Sequence, residues 1–195
     1  MARPARFDED VILDAALHVV ADRGLHAATT DAVAERMGGH TGSIYYRFPT
    51  RDHLLAALWI RCAHAGQAGL FQAVTKDDVD DALEAAVLHY PRWSRTNPGP
   101  ARILAAYGRE QLIPRWPDEL ADALKNVNND LAAAVAEFAT RWYDDITPAR
   151  RRALTFAVLD LPASAIRRYL LSGRTPPTSL DPPILAAARA ALAAA

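Results

Sequence analysis

Side chains able to do chemistry are few and scattered in this chain. The single cysteine, Cys62, lies two residues from His64. Two positions apart on a helix they project in different directions, which makes a poor nucleophile–base pair and a poor metal chelate. His89, Arg109 and Glu110 are the next polar set a fold could gather, as any helical bundle gathers some. No G-x-S-x-G elbow, glycine-rich phosphate loop or H-E-x-x-H helix occurs. The pattern therefore speaks against an enzyme and calls for no metal or cofactor. Hydrogen-bond donors do concentrate in one stretch, Thr29 to Arg51, TTDAVAERMGGHTGSIYYRFPTR, which holds Tyr45, Tyr46, Arg47 and Arg51. Tyrosine and arginine donors suit phosphate oxygens, and an arginine can give two hydrogen bonds to a guanine edge.

Those donors need two short helices set at an angle, so that the second can lie in the major groove of DNA. The stretch supplies them. Thr29 or Thr30 caps a helix with Asp31 in its first turn, and Val33, Ala34 and Met37 form its inner face. Gly38-Gly39 breaks it. A second helix of barely two turns runs from about Thr41 to Arg47, with Ile44 and Phe48 four apart and both free to face the core. Pro49 stops it, and Thr50 caps the next. Ahead of the pair, Asp8, Glu9 and Asp10 open a helix whose Ile12, Ala15, Ala16, Val19 and Val20 mark a buried face, closed at Arg23-Gly24. Arg3 and Arg6 lie in a short arm before it, within reach of a phosphate or a minor groove.

The 195 residues are 51% hydrophobic and 23% charged, the balance of a folded globular protein. Abundant alanine and few runs of Val, Ile and Thr favour an all-α fold. One cysteine fits a reducing compartment, and neither a signal peptide nor a membrane-spanning run is evident, so a cytoplasmic protein is expected. Net charge is −1, and residues 1 to 55 hold six Arg and no Lys against eight acidic residues. This counts against DNA binding by bulk charge and leaves the task to a few placed arginines.

Downstream, a long helix from Arg51 to about Phe71 follows without a Pro-rich linker and is stiff enough to transmit a displacement. A helix from Asp77 to about Ser94 is expected to kink or end early at Pro91, followed by a loop over Arg95 to Pro100. Helices follow over Ala101 to about Leu112, Pro117 to about Tyr143, Thr147 to Ser172 with a kink at Pro162, and Asp181 onward. The total is about nine helices and no strand.

The segments ILDAALHVVADRG, ATTDAVAERMG and GSIYYRFPTRDHLLAAL resemble the TetR family of transcriptional regulators, over about residues 8 to 58. Gly24, Thr29, Ala34, Gly38, Gly42, Tyr45, Phe48, Pro49 and Leu54 carry the likeness. It implies a DNA-binding helix-turn-helix domain over residues 1–50 and a ligand-binding and dimerisation domain over 51–195. It further implies a homodimer on a near-palindromic operator, with Thr41, Gly42, Tyr46 and Arg47 toward bases and Thr30, His40, Tyr45 and Arg51 on phosphates. Three positions depart from the family pattern: Gly39 replaces a small apolar residue, His40 a capping Ser or Thr, and Thr41 a basic residue.

The likeness also implies a small-molecule pocket inside the bundle of helices four to eight, whose ligand releases a repressor from its operator. Trp59, His64, His89, Trp93, Tyr107, Arg109, Glu110, Trp142, Tyr143 and Phe156 are the candidate lining, since pockets pair aromatic walls with few polar groups. The last two helices are the dimer candidates, with Leu154, Val158, Leu161, Ile166, Tyr169 and Leu170 as an apolar stripe. A helical dimer that senses a ligand without binding DNA is the alternative from another class.

Overall fold

The computed structural model describes residues 8–106 and 118–195. The arm with Arg3 and Arg6, and the candidate lining residues Tyr107, Arg109 and Glu110, lie outside the described residues. Among the described residues the chain is helical with no strand, and the nine expected helical passes are present.

The first three helices are α1 (Glu9–Arg23), α2 (Thr30–Met37) and α3 (Thr41–Tyr45). Their ends follow the local chemistry closely. The Asp8 side chain accepts from the Val11 N–H at 2.9 Å, and Thr29, rather than Thr30, caps α2 by accepting from the Ala32 N–H at 3.1 Å. Gly38 takes a left-handed conformation, φ 62 and ψ 35, which ends α2 at a position where a Cβ would be strained. Helix α4 (Arg51–Val74) is the longest, 24 residues, capped by the Thr50 hydroxyl. At 1.5 Å per residue it reaches about 36 Å.

Next come α5 (Val79–Thr96) and α6 (Pro98–Ala106), and here the expectation fails in two places. Helix α5 runs straight through the buried Pro91, because a proline forfeits only one helical bond while its ring packs in the core. The loop expected over Arg95 to Pro100 is a single corner at Asn97, whose side-chain nitrogen donates to the Trp93 carbonyl at 3.1 Å.

The long seventh pass is interrupted. Helix α7 (Asp118–Asn126) and helix α8 (Asn129–Trp142) are separated at Val127–Asn128. The eighth pass is α9 (Pro148–Thr155), a π-helical turn (Phe156–Asp160) and α10 (Leu161–Leu171). The irregularity predicted at Pro162 thus falls one turn earlier. The Leu161 N–H reaches back five residues to the Phe156 carbonyl, a wide turn that absorbs the missing N–H of the proline. Helix α11 (Asp181–Ala193) closes the chain.

Two cores form. The first joins α1, α2, α3 and the N-terminal half of α4, with Ile12, Val33, Ile44, Leu54 and Leu58 fully buried; Ile103 of α6 and Leu124 of α7 complete it. The second joins the C-terminal half of α4 to α5, α8, α9, α10 and α11 around Leu83, Phe138, Leu154 and Ile166. Helix α4 belongs to both. No helix among the described residues is long and apolar enough to cross a membrane.

Candidate DNA-binding face and effector cavity

Helix α3 buries one side and bares the other. Ile44 and Phe48 anchor it in the first core, at 0% and 4% exposure, while Tyr46 stands out at 85% and Tyr45 at 49%. A Cβ added at Gly42 would touch nothing within the chain, so the fold itself has no need of a glycine there. His40 occupies the N-cap position of α3 and makes no side-chain capping bond, unlike Thr29 and Thr50 at the helices on either side. The Thr30 and Tyr45 hydroxyls lie 3.1 Å apart and tie α2 to the recognition helix.

Arg51 is engaged internally. Its Nε donates to the Ala28 carbonyl at 2.9 Å and its Nη2 to the Leu25 carbonyl at 2.8 Å, clamping the turn of Leu25–Ala27 that joins α1 to α2. The acidic excess of the N-terminal region is partly answered from behind: Arg61 of α4 pairs with Asp14 at 2.8 Å, and Arg36 with Asp22 at 3.7 Å. Those acids sit on α1, away from α3 in sequence and in contact with cations the chain supplies itself.

Comparison with known proteins places the N-terminal unit. Residues 12–58 match the model of bacterial regulatory proteins of the tetR family. Over these residues the chain carries a TetR-family helix-turn-helix domain. The whole fold agrees. A transcriptional regulator from Rhodococcus sp. Rha1 is similar at a TM-score of 0.74 and 20% identity, over 96% of this chain and 97% of that one. The fatty acid degradation regulator FadR from Bacillus halodurans is similar at 0.71 and 19% identity, over 96% of each chain. FadR from Bacillus subtilis, solved in complex with stearoyl-CoA, is similar at 0.66 and 14% identity, over 95% of this chain and 96% of that one. No curated protein matches the sequence. The N-terminal unit is therefore a DNA-binding helix-turn-helix of a transcription regulator.

The larger helical region has a cavity of about 760 Å³ between α4, α5, α8 and the π-helical turn. Of the residues expected to line it, Trp59 and His89 do so, and Trp93 lines a smaller adjoining cavity of about 460 Å³ on the other side of His89. His64 is exposed on the outer face of α4. Trp142 packs on Phe138 at a centroid distance of 6.3 Å, and Tyr143 gives a hydrogen bond to the Leu192 carbonyl at 3.3 Å, so both serve the second core. Phe156 faces outward at 45% exposure. These four were expected in the lining because they are aromatic or ionisable at helical spacing, and spacing does not tell which side of a helix the cavity occupies.

Several lining residues escaped the sequence reading: Gln67, Tyr90, Asn128, Asp160 and Ser164. Tyr90 had a signal, being adjacent to His89. Asp160 had another, two residues before Pro162. The Gln67 amide donates to the Asn128 side-chain oxygen at 2.7 Å, fastening the middle of α4 to the break between α7 and α8.

His89 Nε2 lies 2.7 Å from the Gly66 carbonyl, and burial pushes its pKa below the usual 6.5, partly offset by that hydrogen bond. With Nε2 carrying the proton in that bond, the ring is neutral at pH 7. Gly69 leaves the space that the imidazole fills. Burial also pushes the Cys62 thiol up to about 11, which leaves it unionised and inert rather than nucleophilic.

The dimer stripe needs correction. Leu154, Val158, Ile166 and Leu170 are all buried, at 0–2% exposure, inside their own subunit. Leu161 and Tyr169 are half-buried, Leu161 against the same core. The periodicity marks a genuine apolar face, but α5, α8 and α11 of the same chain cover it. Phe156 and Leu171, at 45% and 49% exposure, are the large apolar side chains left outside on this pass among the described residues.

Proposed function

We propose that this protein is a ligand-responsive transcriptional repressor that binds a near-palindromic operator as a homodimer in the cytoplasm. The observation that carries the reading is the double membership of α4. Its N-terminal half holds Leu54 and Leu58 in the DNA-binding core, and its central part lines the cavity with Trp59, Ala63, Gly66 and Gln67. A ligand that repositions the cavity wall acts on a rigid element shared with the DNA reader. Residues 1–50 form the DNA-binding domain in this reading, and residues 51–195 bind ligand and dimerise.

On DNA, Thr41, Gly42, Tyr46 and Arg47 approach the bases. Thr30, His40 and Tyr45 hold phosphates. Arg51 positions the turn between α1 and α2, with only its remaining donors left for a phosphate. The dimer forms over the outer face of α9, α10 and α11, where Phe156 and Leu171 are exposed. Ligand favours a form in which the two recognition helices no longer stand about 34 Å apart, one turn of DNA. Carrying a 1:99 equilibrium to 99:1 requires a differential affinity of roughly 5.5 kcal/mol.

The experiment compares wild type, Tyr46→Ala and Arg47→Ala on fragments of the neighbouring promoter across a salt titration. Both variants are expected to lose sequence preference. Equal retention of all three proteins, or no binding by wild type at low ionic strength, sinks the reading.

A further inference from the structure

Where the DNA-binding unit meets the larger helical region there is another cavity, of about 340 Å³, at the lower end of the range for small-molecule pockets. Val20 of α1, Leu25 of the following turn, Ile103 of α6 and Leu170 of α10 give it apolar walls, and Arg102 of α6 supplies a cation. The hydrogen bonding of Arg102 is incomplete. Its Nη2 donates to the Gly173 carbonyl at 2.5 Å, across the seam of α6 and α10, but its Nε is buried and has no hydrogen-bond partner. Among the described residues it is the one buried side-chain nitrogen or oxygen left in that condition. Such donors are rare because their desolvation goes uncompensated, and each calls for an oxygen to serve. The same end of α10 adds to the charge. Arg167 is tied to the Ala105 carbonyl at 3.0 Å, and Arg168 and Arg174 lie over the Tyr169 ring at 4.8 and 5.2 Å. The printed partners of all four guanidiniums are carbonyls, a hydroxyl and a ring, with no carboxylate among the described residues. A positive corner over low-dielectric walls concentrates anions.

We propose that this cavity is a second ligand site, which takes a small carboxylate with an apolar body, an aryl or branched-chain acid. The carboxylate accepts from Arg102 Nε and from a further N–H of the same guanidinium, the fork that matches two oxygens, while the hydrocarbon part lies on Val20, Leu25 and Leu170. A ligand seated there touches α1 on one side and α6 and α10 on the other, and so bears on how the DNA-binding unit sits against the rest of the chain. The site shares no lining residue with the cavity beside His89, and the inference stands or falls apart from the effector reading of that cavity.

The test uses the full-length protein at neutral pH and physiological salt, with benzoate, benzyl alcohol and acetate as probes. Calorimetry measures affinity. The ring signal of His26, which lines the cavity, reports in magnetic resonance where the probe sits, once assigned with His26→Gln. Benzoate is expected to bind about tenfold more tightly than benzyl alcohol, the gain from a charge-assisted hydrogen bond, and to shift the His26 signal. It should also exceed acetate by about tenfold, because acetate brings almost no apolar surface to the walls. Arg102→Gln should bring benzoate down to the level of benzyl alcohol. Ala21→Leu, which leaves Arg102 in place and fills the cavity, should weaken benzoate by about tenfold or more and keeps the test independent of the bond to Gly173. Equal binding of benzoate and benzyl alcohol, or a preference for benzoate that survives Arg102→Gln, overturns the inference. Acetate as tight as benzoate overturns it too, leaving a surface anion effect of the arginines. Benzoate binding with an unmoved His26 signal, or no binding of benzoate, does the same.

Discussion

The Thr30 and Tyr45 hydroxyls face each other at 3.1 Å across the junction of α2 and α3, the first 8% exposed and the second 49%. A buried threonine therefore orients a half-exposed phenol on the face proposed to meet DNA. Either hydroxyl can donate within the pair; with Thr30 donating, the Tyr45 proton is left for a phosphate on the proposed DNA face. Tyr45→Phe should weaken operator binding by about 1.5 kcal/mol, roughly tenfold, the lower end for a hydrogen bond to a charged group. Because no charge is removed, the slope of log K against log salt should stay as in wild type. An unchanged affinity would remove Tyr45 from the phosphate contacts.

Arg51 invites a different expectation. Two of its donors hold the Ala28 and Leu25 carbonyls. Arg51→Ala would leave two carbonyls of the turn to water or weaker partners and should destabilise the protein by about 2 kcal/mol, within the roughly 1.5–3 kcal/mol net worth of a hydrogen bond to a charged group. Thermal unfolding measures it. A variant that melts like wild type but loses DNA affinity would make Arg51 a phosphate contact instead of a clamp.

The N-terminal unit was legible because each of its boundaries is a local event. Asp8, Thr29, Gly38 and Thr50 act within one turn of themselves, and Ile44 with Phe48 leaves only one side of α3 available to the core. Farther along, the same periodicity became ambiguous. A stripe such as Leu154, Val158, Ile166 and Leu170 announces a buried face, but the partner that buries it is a tertiary fact, and here it is the same chain. His64, Trp142 and Phe156 failed for the same reason. The break at Val127–Asn128 left no glycine or proline in the sequence, yet it brings Asn128 to the cavity. Pro91 signalled a break that packing overrode.

His89 makes stability depend on pH in a direction that follows from its burial. Its folded-state pKa lies below the ordinary 6.5, so between the two values the unfolded chain binds more protons than the folded one. Stability then rises with pH. It is fully present above 6.5 and is lost as pH falls through the folded-state pKa. His89→Gln, which retains a donor for the Gly66 carbonyl, should flatten that loss in urea unfolding measured across the acid range. A decline as steep in the variant as in wild type would assign the acid sensitivity to other groups. Gly69→Ala, whose added methyl would collide with the imidazole, should displace the ring and lower stability at every pH.

The last helix hangs on Arg95. Its Nη1 donates to Asp181 Oδ2 at 3.0 Å and its Nη2 to Oδ1, while Nε holds the Pro176 carbonyl at 2.9 Å. Both side chains are largely buried, 15% and 17% exposed, so removing Arg95 leaves the Asp181 carboxylate only the half-exposed Arg92, whose Nε is 3.9 Å away. Arg95→Met should cost about 3 kcal/mol, the lower end of what breaking a buried pair costs. For a protein of this size that lowers the melting temperature by roughly 10 °C. Adding Asp181→Asn should recover part of the loss, because the poorly compensated carboxylate is then gone. Helix α11 also forms part of the proposed dimer face, and loosening it should weaken dimerisation. Operator binding by Arg95→Met is therefore expected to fall steeply at low protein concentration and to recover as the concentration rises. A loss of DNA affinity independent of concentration would separate α11 from the dimer.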